Sequence, residues 1–252
     1  MNPALVDRGR EAFVAEITRD LPETPVYFLH SRDLNKSGPR LDSQREMPPL
    51  LGPREVAARV RTGAVLLDTR PAQVFGECHL ARAMNVSLDG QYASWVGTLL
   101  KPDQPILLVA EPARAEEAVM RLARVGYEEV VGILEGGCDA WRAAGLPVDS
   151  VPQVKASTLR PGDRAVLDVR RGAEWERFHL PGATHVPLAQ LPERLRSLDR
   201  GVDWTVVCAT GYRSSIAASL LKREGFSGVR NVVDGMDAYY SAGLPVEAGA
   251  AS

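Results

Sequence analysis

The chain has 252 residues, of which 45% are hydrophobic and 25% charged, and its formal net charge is −2. This balance is typical of a globular protein with one large domain or two ordinary ones, and it excludes the strong overall positive charge typical of nucleic-acid-binding proteins. The three scattered cysteines contain no CxxC pair, which argues against a disulfide framework and a cysteine-rich zinc site. None of the four histidines lies in an H-x-H-x-D-H cluster, so we expect no bound metal.

Residues 1–50 are rich in proline and show a helical pattern only near Glu11–Ile17, which predicts an extended N-terminal arm. Charged residues, among them Asp7 and Arg8, stand where a secretory signal needs apolar ones. No apolar run approaches the length of a membrane span, which is about 18 residues or more. We therefore expect a cytoplasmic protein that binds neither membrane nor nucleic acid.

The rest of the chain contains one sequence pattern twice. Residues 64–88 read AVLLDTRPAQVFGECHLARAMNVSL, and residues 165–188 read AVLDVRRGAEWERFHLPGATHVPL, at an offset of 100. Further along the offset is 99, and the endings AWRAAGLPVD and AYYSAGLPVE match once Cys138 is treated as a one-residue insertion. A period of this length predicts two compact domains, at 51–148 and 149–252.

Both copies show the same α/β pattern. Short apolar runs predict buried parallel strands, which are AVLLD, PILLVA and VVGIL in the first copy and AVLDV, WTVVCA and VRNVV in the second. Helical patterns separate the strands. The predicted fold class is therefore α/β, with two similar domains that each contain a parallel sheet flanked by helices. Ligands of such sheets bind beyond the carboxyl ends of the strands.

A cysteine stands at the end of the middle strand of the second copy. Cys208 closes WTVVC, and the loop and the start of a helix follow as Ala209, Thr210, Gly211, Tyr212, Arg213 and Ser214. The free N–H groups of a first helical turn, the helix dipole and the Arg213 guanidinium stabilise a thiolate and attract an anionic substrate. A free cysteine taken alone is more often an inert core residue. The duplication and the loop favour a reactive one here.

With this loop, the second copy resembles the rhodanese homology domain, which implies a sulfurtransferase that needs no cofactor. The C-x-x-G-x-R-S loop of the family matches Cys208, Gly211, Arg213 and Ser214. Its Asp-x-Arg opening matches Asp168 and Arg170, and its His-hydrophobic-Pro-Gly-Ala run matches residues 179–183. One departure is Phe178, where the family usually has glycine, and we expect it to change packing only.

The resemblance also implies a reaction. Cys208 would take a sulfane sulfur from thiosulfate or a low-molecular-weight persulfide and pass it to a thiol, sulfite or cyanide. Arg213 would orient the anionic donor, and the loop from Ala209 to Ser214 would bind the substrate through its amides. Asp168 and Arg170 are expected to support the loop as a charge pair.

The two histidines near this site are expected to be structural. His179 is repeated as His79 in the first copy, which lacks the cysteine. His185 is not repeated, because the first copy has Asn85, and it is predicted to lie at the surface or in a turn.

The first copy is predicted to be catalytically silent. The offset that aligns the helices places Val109 opposite Cys208, and valine has no nucleophile. Glu111 would repel an anionic donor, and Pro112 removes an N–H group from the loop. The remaining cysteines lie elsewhere in the repeat.

The arm resembles the segment that joins a metallo-β-lactamase-fold persulfide dioxygenase to its rhodanese domains. This resemblance implies sulfide detoxification, with such a dioxygenase as a partner or as the missing part of a fusion. Two other functions stay open. A phosphatase of this fold has five residues between cysteine and arginine, whereas four separate Cys208 and Arg213. A module that only carries sulfur or binds partners would keep the fold without turnover.

Overall fold

The computed structural model describes residues 9–18, 46–162 and 165–248. Most of the predicted arm lies outside the described residues. The described part of the arm contains helix α1, Arg10–Thr18, where the sequence shows its short helical pattern.

The first domain is a parallel sheet flanked by helices. Its elements are β1 Leu50–Leu51, α2 Pro53–Arg61, β2 Val65–Asp68, α3 Ala72–Glu77, β3 His79–Leu80, β4 Met84–Asn85, α4 Tyr92–Leu99, β5 Ile106–Val109, α5 Ala115–Ala123, β6 Val130–Leu134, α6 Gly137–Ala143 and β7 Val148–Asp149. The sheet order is β4-β2-β5-β6-β1, with all neighbours parallel, and β3 pairs with β7 in a small antiparallel ribbon.

The second domain repeats this architecture. Its elements are β8 Gln153–Val154, β9 Val166–Asp168, α7 Gly172–Arg177, β10 Thr184–His185, α8 Leu191–Arg194, β11 Trp204–Val207, α9 Tyr212–Arg223, β12 Val229–Val232 and α10 Gly235–Ser241. The parallel order β10-β9-β11-β12-β8 is equivalent to that of the first sheet. The predicted fold class and the duplication are confirmed.

Apolar runs become the central strands because a parallel sheet covered by helices is buried on both faces. All four residues of β2 and all four of β5 are buried. Between the strands, α5 buries one face through Ala118, Val119 and Leu122 and leaves its acidic first turn in solvent. Each fully buried leucine or valine of this kind contributes about 1.5–3 kcal/mol to folding.

The strand register corrects the predicted alignment of the two copies. Asp68 of β2 lies opposite Val109, and Asp168 of β9 lies opposite Val207. The residue that occupies the position of Cys208 is therefore Ala110, one residue later than the helix alignment predicted. The loop of the first copy is one residue shorter, and this shift is invisible when only the helices are aligned.

A second correction concerns the predicted insertion at Cys138. The register shifts between Ile106 and Leu107, whose partners in β6 are Val130 and Gly132, so the extra residue of the first copy is a bulge at position 131. After this bulge, α6 and α10 correspond residue by residue. Cys138 therefore takes the place of Met236 and is not inserted.

Helix α9 is packed between the two domains. Eight of its twelve residues are buried, and one hydrophobic cluster contains residues of both domains. Ser215 donates a hydrogen bond to Asn85 Oδ1 at 2.7 Å, and the Asn85 backbone N–H donates to Ser219 Oγ at 3.0 Å. The Tyr212 hydroxyl donates to the Ser87 carbonyl at 2.9 Å. The core beside α9 is thus shared by the two domains.

Candidate active site

Cys208 follows β11 directly, at the carboxyl edge of the second sheet. Its side chain is 1% exposed, and its sulfur accepts two hydrogen bonds, from Gly211 N–H at 3.2 Å and from the Ser214 hydroxyl at 3.4 Å. Both donors belong to the loop and to the first turn of α9. A sulfur that carries negative charge is stabilised by such donors and by the positive end of the helix dipole.

Glycine is required at position 211 by the backbone of the loop. Gly211 has a φ of 92°, in the left-handed region, and α9 begins at the next residue. A Cβ atom at this position would collide with the Val233 carbonyl. The loop can therefore turn tightly around the sulfur only without a side chain here.

The other side of the loop is held by α10. The Met236 and Asp237 N–H groups, in the first turn of α10, donate to the carbonyls of Cys208 and Ala209 at 2.7 and 3.1 Å. The position of the cysteine is thus fixed by backbone hydrogen bonds from two helix N-termini.

Arg213 forms a bidentate ion pair that the sequence did not reveal. Its two terminal nitrogens donate to Glu174 of α7 at 2.7 and 2.6 Å. Burial alone would raise the pKa of Glu174, but the Arg213 guanidinium and the Arg171 backbone N–H outweigh it and hold the pKa below the usual value. The only signal in the sequence was the absence of an acidic residue from the same position of the first copy, where Val74 stands.

Asp168 and Arg170 form a buried ion pair at 2.7 Å, with both side chains 1% exposed. Arg170 Nη2 also donates a hydrogen bond of 2.7 Å to the Phe178 carbonyl, and the Arg170 guanidinium lies 4.9 Å from the Phe178 ring centre. The first copy repeats the pair as Asp68 and Arg70. These contacts join β9 to the segment after α7. They lie beside β11, the strand that precedes the Cys208 loop, because Asp168 is opposite Val207.

His179 packs in the core as expected for a structural residue. Its ring stacks on Trp175 at 3.7 Å, and its Nδ1–H donates to the Trp175 carbonyl at 3.0 Å. His185 differs from the prediction, because it lies half-buried in β10 and not at the surface or in a turn. Its Nε2–H donates to the Arg170 carbonyl at 2.9 Å, the contact that Asn85 makes with Arg70 in the first copy.

The equivalent loop of the first domain contains no nucleophile. Ala110 occupies the position of Cys208, and Pro112 starts a short 3-10 turn before α5. Arg114, the counterpart of Arg213, pairs with Asp89 at 2.6 Å and with Glu117 at 2.9 Å on the surface of its own domain.

A cavity of about 520 Å³ lies beside the Cys208 loop, between the two domains. The second domain contributes Thr210, Gly211 and Tyr212 to its lining, and the first domain contributes Asn85 and Ser87. The cavity is next to the loop, although Cys208 itself is not among the lining residues.

Within residues 9–18, 46–162 and 165–248, no group of three or more His, Cys, Asp or Glu side chains is arranged to hold a metal ion. None of the helices in this part of the chain is both long and apolar enough to cross a membrane.

The fold and the loop define a class of α/β domain that presents a cysteine at a strand end, under the N-terminus of a helix. The rhodanese-like domain family matches residues 52–144 and again 152–242. The chain therefore belongs to the rhodanese-like domain family, and it contains two copies of the domain.

Individual relatives match shorter parts of the chain. YrkF of Bacillus subtilis is 35% identical over 94 residues, which are 37% of this chain and 51% of YrkF, so the chain spans about half the length of that relative. The thiosulfate sulfurtransferase GlpE of Pseudomonas syringae is 31% identical over 87 residues, 34% of this chain and 82% of GlpE. A thiosulfate sulfurtransferase structure from Pseudomonas aeruginosa is 25% identical, covers 80% of this chain and 44% of its own, and has a TM-score of 0.37.

Proposed function

We propose that this protein is a rhodanese-type sulfurtransferase in which Cys208 carries a sulfane sulfur as a persulfide. The observation that carries the proposal is the pair of hydrogen bonds that the Cys208 sulfur accepts from Gly211 and Ser214 at the N-terminus of α9. Relatives named as sulfurtransferases support the same class of reaction.

The proposed reaction has two displacement steps. The Cys208 thiolate attacks the sulfane sulfur of thiosulfate, the sulfur–sulfur bond of the donor breaks, and sulfite leaves with the bonding electrons. An acceptor thiolate or cyanide then attacks the outer sulfur of the Cys208 persulfide, and the Cys208 thiolate leaves. A low-molecular-weight persulfide serves as donor in the same way, with a thiolate as the leaving group.

The loop supplies electrostatic stabilisation in both steps. Gly211 N–H and the Ser214 hydroxyl stabilise negative charge on the Cys208 sulfur. We propose that the outer, anionic sulfur is bound by the remaining loop residues Ala209, Thr210 and Tyr212 through their amides. Arg213 orients an anionic donor while it shares its guanidinium with Glu174.

The first domain is proposed to position the catalytic helix. Its own loop has alanine in place of the cysteine, but Asn85 and Ser87 hold the first two turns of α9 by hydrogen bonds. A silent domain that supports this helix has a use without any chemistry of its own.

We propose sulfide detoxification as the setting, with a metallo-β-lactamase-fold persulfide dioxygenase as a partner or as the rest of a fusion. The support is the resemblance of the N-terminal arm, which lies mostly outside the described residues. Co-purification of this chain with such a dioxygenase from its source would support the pairing, and a neighbouring reading frame for an unrelated enzyme would argue against it.

Cys208→Ser should abolish both sulfur loading and turnover, because a serine hydroxyl stays protonated and is a poor acceptor of sulfane sulfur. After incubation with thiosulfate, mass spectrometry of the wild-type chain should show one added sulfur atom on Cys208, which cyanide removes. Cys78→Ser and Cys138→Ser are the matched controls and should keep turnover.

Three outcomes of this experiment separate the alternatives. Thiosulfate labelling that persists in Cys208→Ser would refute the assignment of the nucleophile. A chain that is loaded on Cys208 but turns over no acceptor would be a sulfur carrier. Hydrolysis of a phosphate ester without sulfur loading would indicate the phosphatase.

A further inference from the structure

Two cysteines of the first domain lie against each other, away from the Cys208 loop. Cys78 follows the end of α3, and Cys138 is the second residue of α6. The Cys138 thiol donates a hydrogen bond to the Cys78 carbonyl at 3.1 Å. Both thiols are free. The fold therefore brings together two thiols that are 60 residues apart in the sequence.

The two thiols differ in access, although a guanidinium lies next to each sulfur, Arg142 at Cys78 and Arg70 at Cys138. Cys78 is half-buried, and the Arg142 guanidinium donates to its sulfur at 3.1 Å from a largely exposed position. Cys138 is buried, and burial together with the neighbouring Cys78 raises its pKa to about 12. Cys78 is thus the thiol that a small molecule can reach, and Cys138 is a buried thiol that donates its proton to the Cys78 carbonyl.

The second domain has apolar side chains at the same two places. Phe178 is the counterpart of Cys78, and Met236 is the counterpart of Cys138 once the bulge in β6 is taken into account. Both are buried in the core of their domain. Packing alone is satisfied there without sulfhydryl groups, so the thiol pair of the first domain calls for a chemical explanation.

We propose that Cys78 and Cys138 form a second sulfur site, a dithiol that low-molecular-weight persulfides oxidise to a disulfide with release of hydrogen sulfide. The Cys78 thiolate attacks the sulfane sulfur of the persulfide RSSH, and RS⁻ leaves as a thiol. Cys138 then attacks the Cys78 sulfur, the bond to the outer sulfur breaks, and HS⁻ leaves with the Cys138 proton. The sulfane sulfur takes up two electrons and the two cysteines lose them, so no other oxidant is needed.

This chemistry goes beyond the transfer proposed for Cys208. In the described structure, the Cys208 sulfur has amide and hydroxyl partners, which suit a persulfide that waits for an external acceptor. Cys78 has a second thiol beside it, which suits a persulfide that is resolved at once. The first domain would then be silent as a transferase and active as a site that reduces sulfane sulfur to sulfide.

The test uses the full chain with Cys208→Ser, so that its outcome is independent of the transfer reaction. Trypsin places the cysteines on separate peptides, at residues 62–82, 125–142 and 201–213. After incubation with glutathione persulfide, the first two peptides should be joined by a disulfide, the intact chain should lose the mass of two hydrogen atoms, and one sulfide should be released per chain.

Variants of each thiol give the controls. With Cys138→Ser or Cys138→Met, the latter being the residue of the other copy, Cys78 should keep a stable persulfide and release no sulfide. With Cys78→Ser, Cys138 should stay unmodified. Arg142→Ala removes the guanidinium that donates to Cys78 and should slow the reaction about threefold.

Two results would overturn the proposal. One is a persulfide that remains on Cys78, or an absence of any modification, in a chain with both thiols and a native circular dichroism spectrum. The other is a disulfide that forms with hydrogen peroxide but not with glutathione persulfide, because the site would then respond to general oxidants and not to sulfane sulfur.

Discussion

Arg213 is the residue whose surroundings change most between the sequence and the structure. The loop pattern places a cation next to the Cys208 sulfur, and the structure adds the Glu174 carboxylate, which already occupies both terminal nitrogens of Arg213. The Arg213 side chain is 16% exposed and that of Glu174 is 33% exposed, so the pair is partly screened by solvent. An anionic donor must therefore share Arg213 with Glu174 or displace it.

Arg213→Ala should lower kcat/KM for thiosulfate by about 2–4 kcal/mol of transition-state stabilisation, the usual loss for one preorganised donor. Glu174→Gln should raise kcat/KM for thiosulfate by about 1 kcal/mol, or roughly fivefold, because a partly screened negative charge leaves the site. Steady-state kinetics measure both. Arg114→Ala, the matched change in the silent copy, should leave activity intact, and a larger loss there than at Arg213 would contradict the assignment of the active copy.

His79 predicts how stability depends on pH. Burial lowers its pKa below the usual 6.5 and outweighs the Phe75 carbonyl that accepts its Nδ1–H at 2.9 Å. At a pH between the two pKa values, the unfolded chain therefore binds a proton at His79 and the folded chain does not. The contribution to the free energy of unfolding is complete above pH 6.5 and is lost as the pH falls from there towards the lower pKa of the folded state.

Urea unfolding at pH 8 and pH 5 measures this loss, at most about 1.4 kcal/mol per pH unit for one group. His79→Gln removes the titrating group, so the difference in stability between the two pH values should shrink. An unchanged difference in His79→Gln would show that His79 does not carry this dependence.

At the scale of the elements, the sequence predicted the central strands and the long helices because they bury many apolar residues at a regular spacing. β5 and β11 and the helices that follow them are at the predicted places. The short edge strands were missed, because a strand of two residues has no period to detect. The bulge in β6 and the one-residue shift at Ala110 were misplaced for another reason, since register is set by hydrogen bonds between strands that an alignment of the copies does not contain.

The candidate site likewise has features that follow from local sequence and features that come from distant elements. The cysteine loop follows from local sequence, because Gly211 and the start of α9 are local features. Glu174 and Asn85 reach the site from other elements and have no local pattern. In the sequence, Asn85 is marked only by a difference between the copies, since His185 stands at its place in the second domain.

Asn85→Ala should destabilise the chain through α9. The Asn85 side chain donates to the carbonyls of Asp68 and Arg70 at 3.1 and 2.9 Å and accepts from Ser215 at 2.7 Å. Its loss leaves buried polar groups without partners, which costs about 2–4 kcal/mol in total. Urea unfolding measures the change in the free energy of unfolding.

The matched control for this prediction is Ser87→Ala. Among the residues that the structure describes, the Ser87 hydroxyl bonds only within its own turn, to the Asp89 N–H at 3.2 Å and to the Asp89 carboxylate at 3.4 Å. Its removal should therefore cost about 1 kcal/mol or less. Equal losses from the two substitutions would show that Asn85 does not join the first domain to α9.

At the scale of the whole molecule, the two domains are repeats in sequence but not independent in packing. One hydrophobic cluster runs from the first sheet through α9 to the second sheet. A second cluster, which includes Val207 and Met236, covers the opposite face of the second sheet. Helix α9 thus contacts both domains, and its N-terminus is held in place by both.

This shared core predicts that the two domains unfold as one unit. If one domain opened alone, α9 would lose its apolar contacts with the other domain. The interface would then be exposed to solvent, which disfavours the opening of a single domain. Native-state hydrogen exchange in low urea should give the amides of β5 and β11 the same opening free energy and the same urea slope. A smaller opening free energy for one of the two strands would mean that its domain opens by itself. In Asn85→Ala, the same measurement should give β5 and β11 different opening free energies. The reason is that this substitution weakens the polar contacts between β4 and α9 and leaves the centre of each sheet intact.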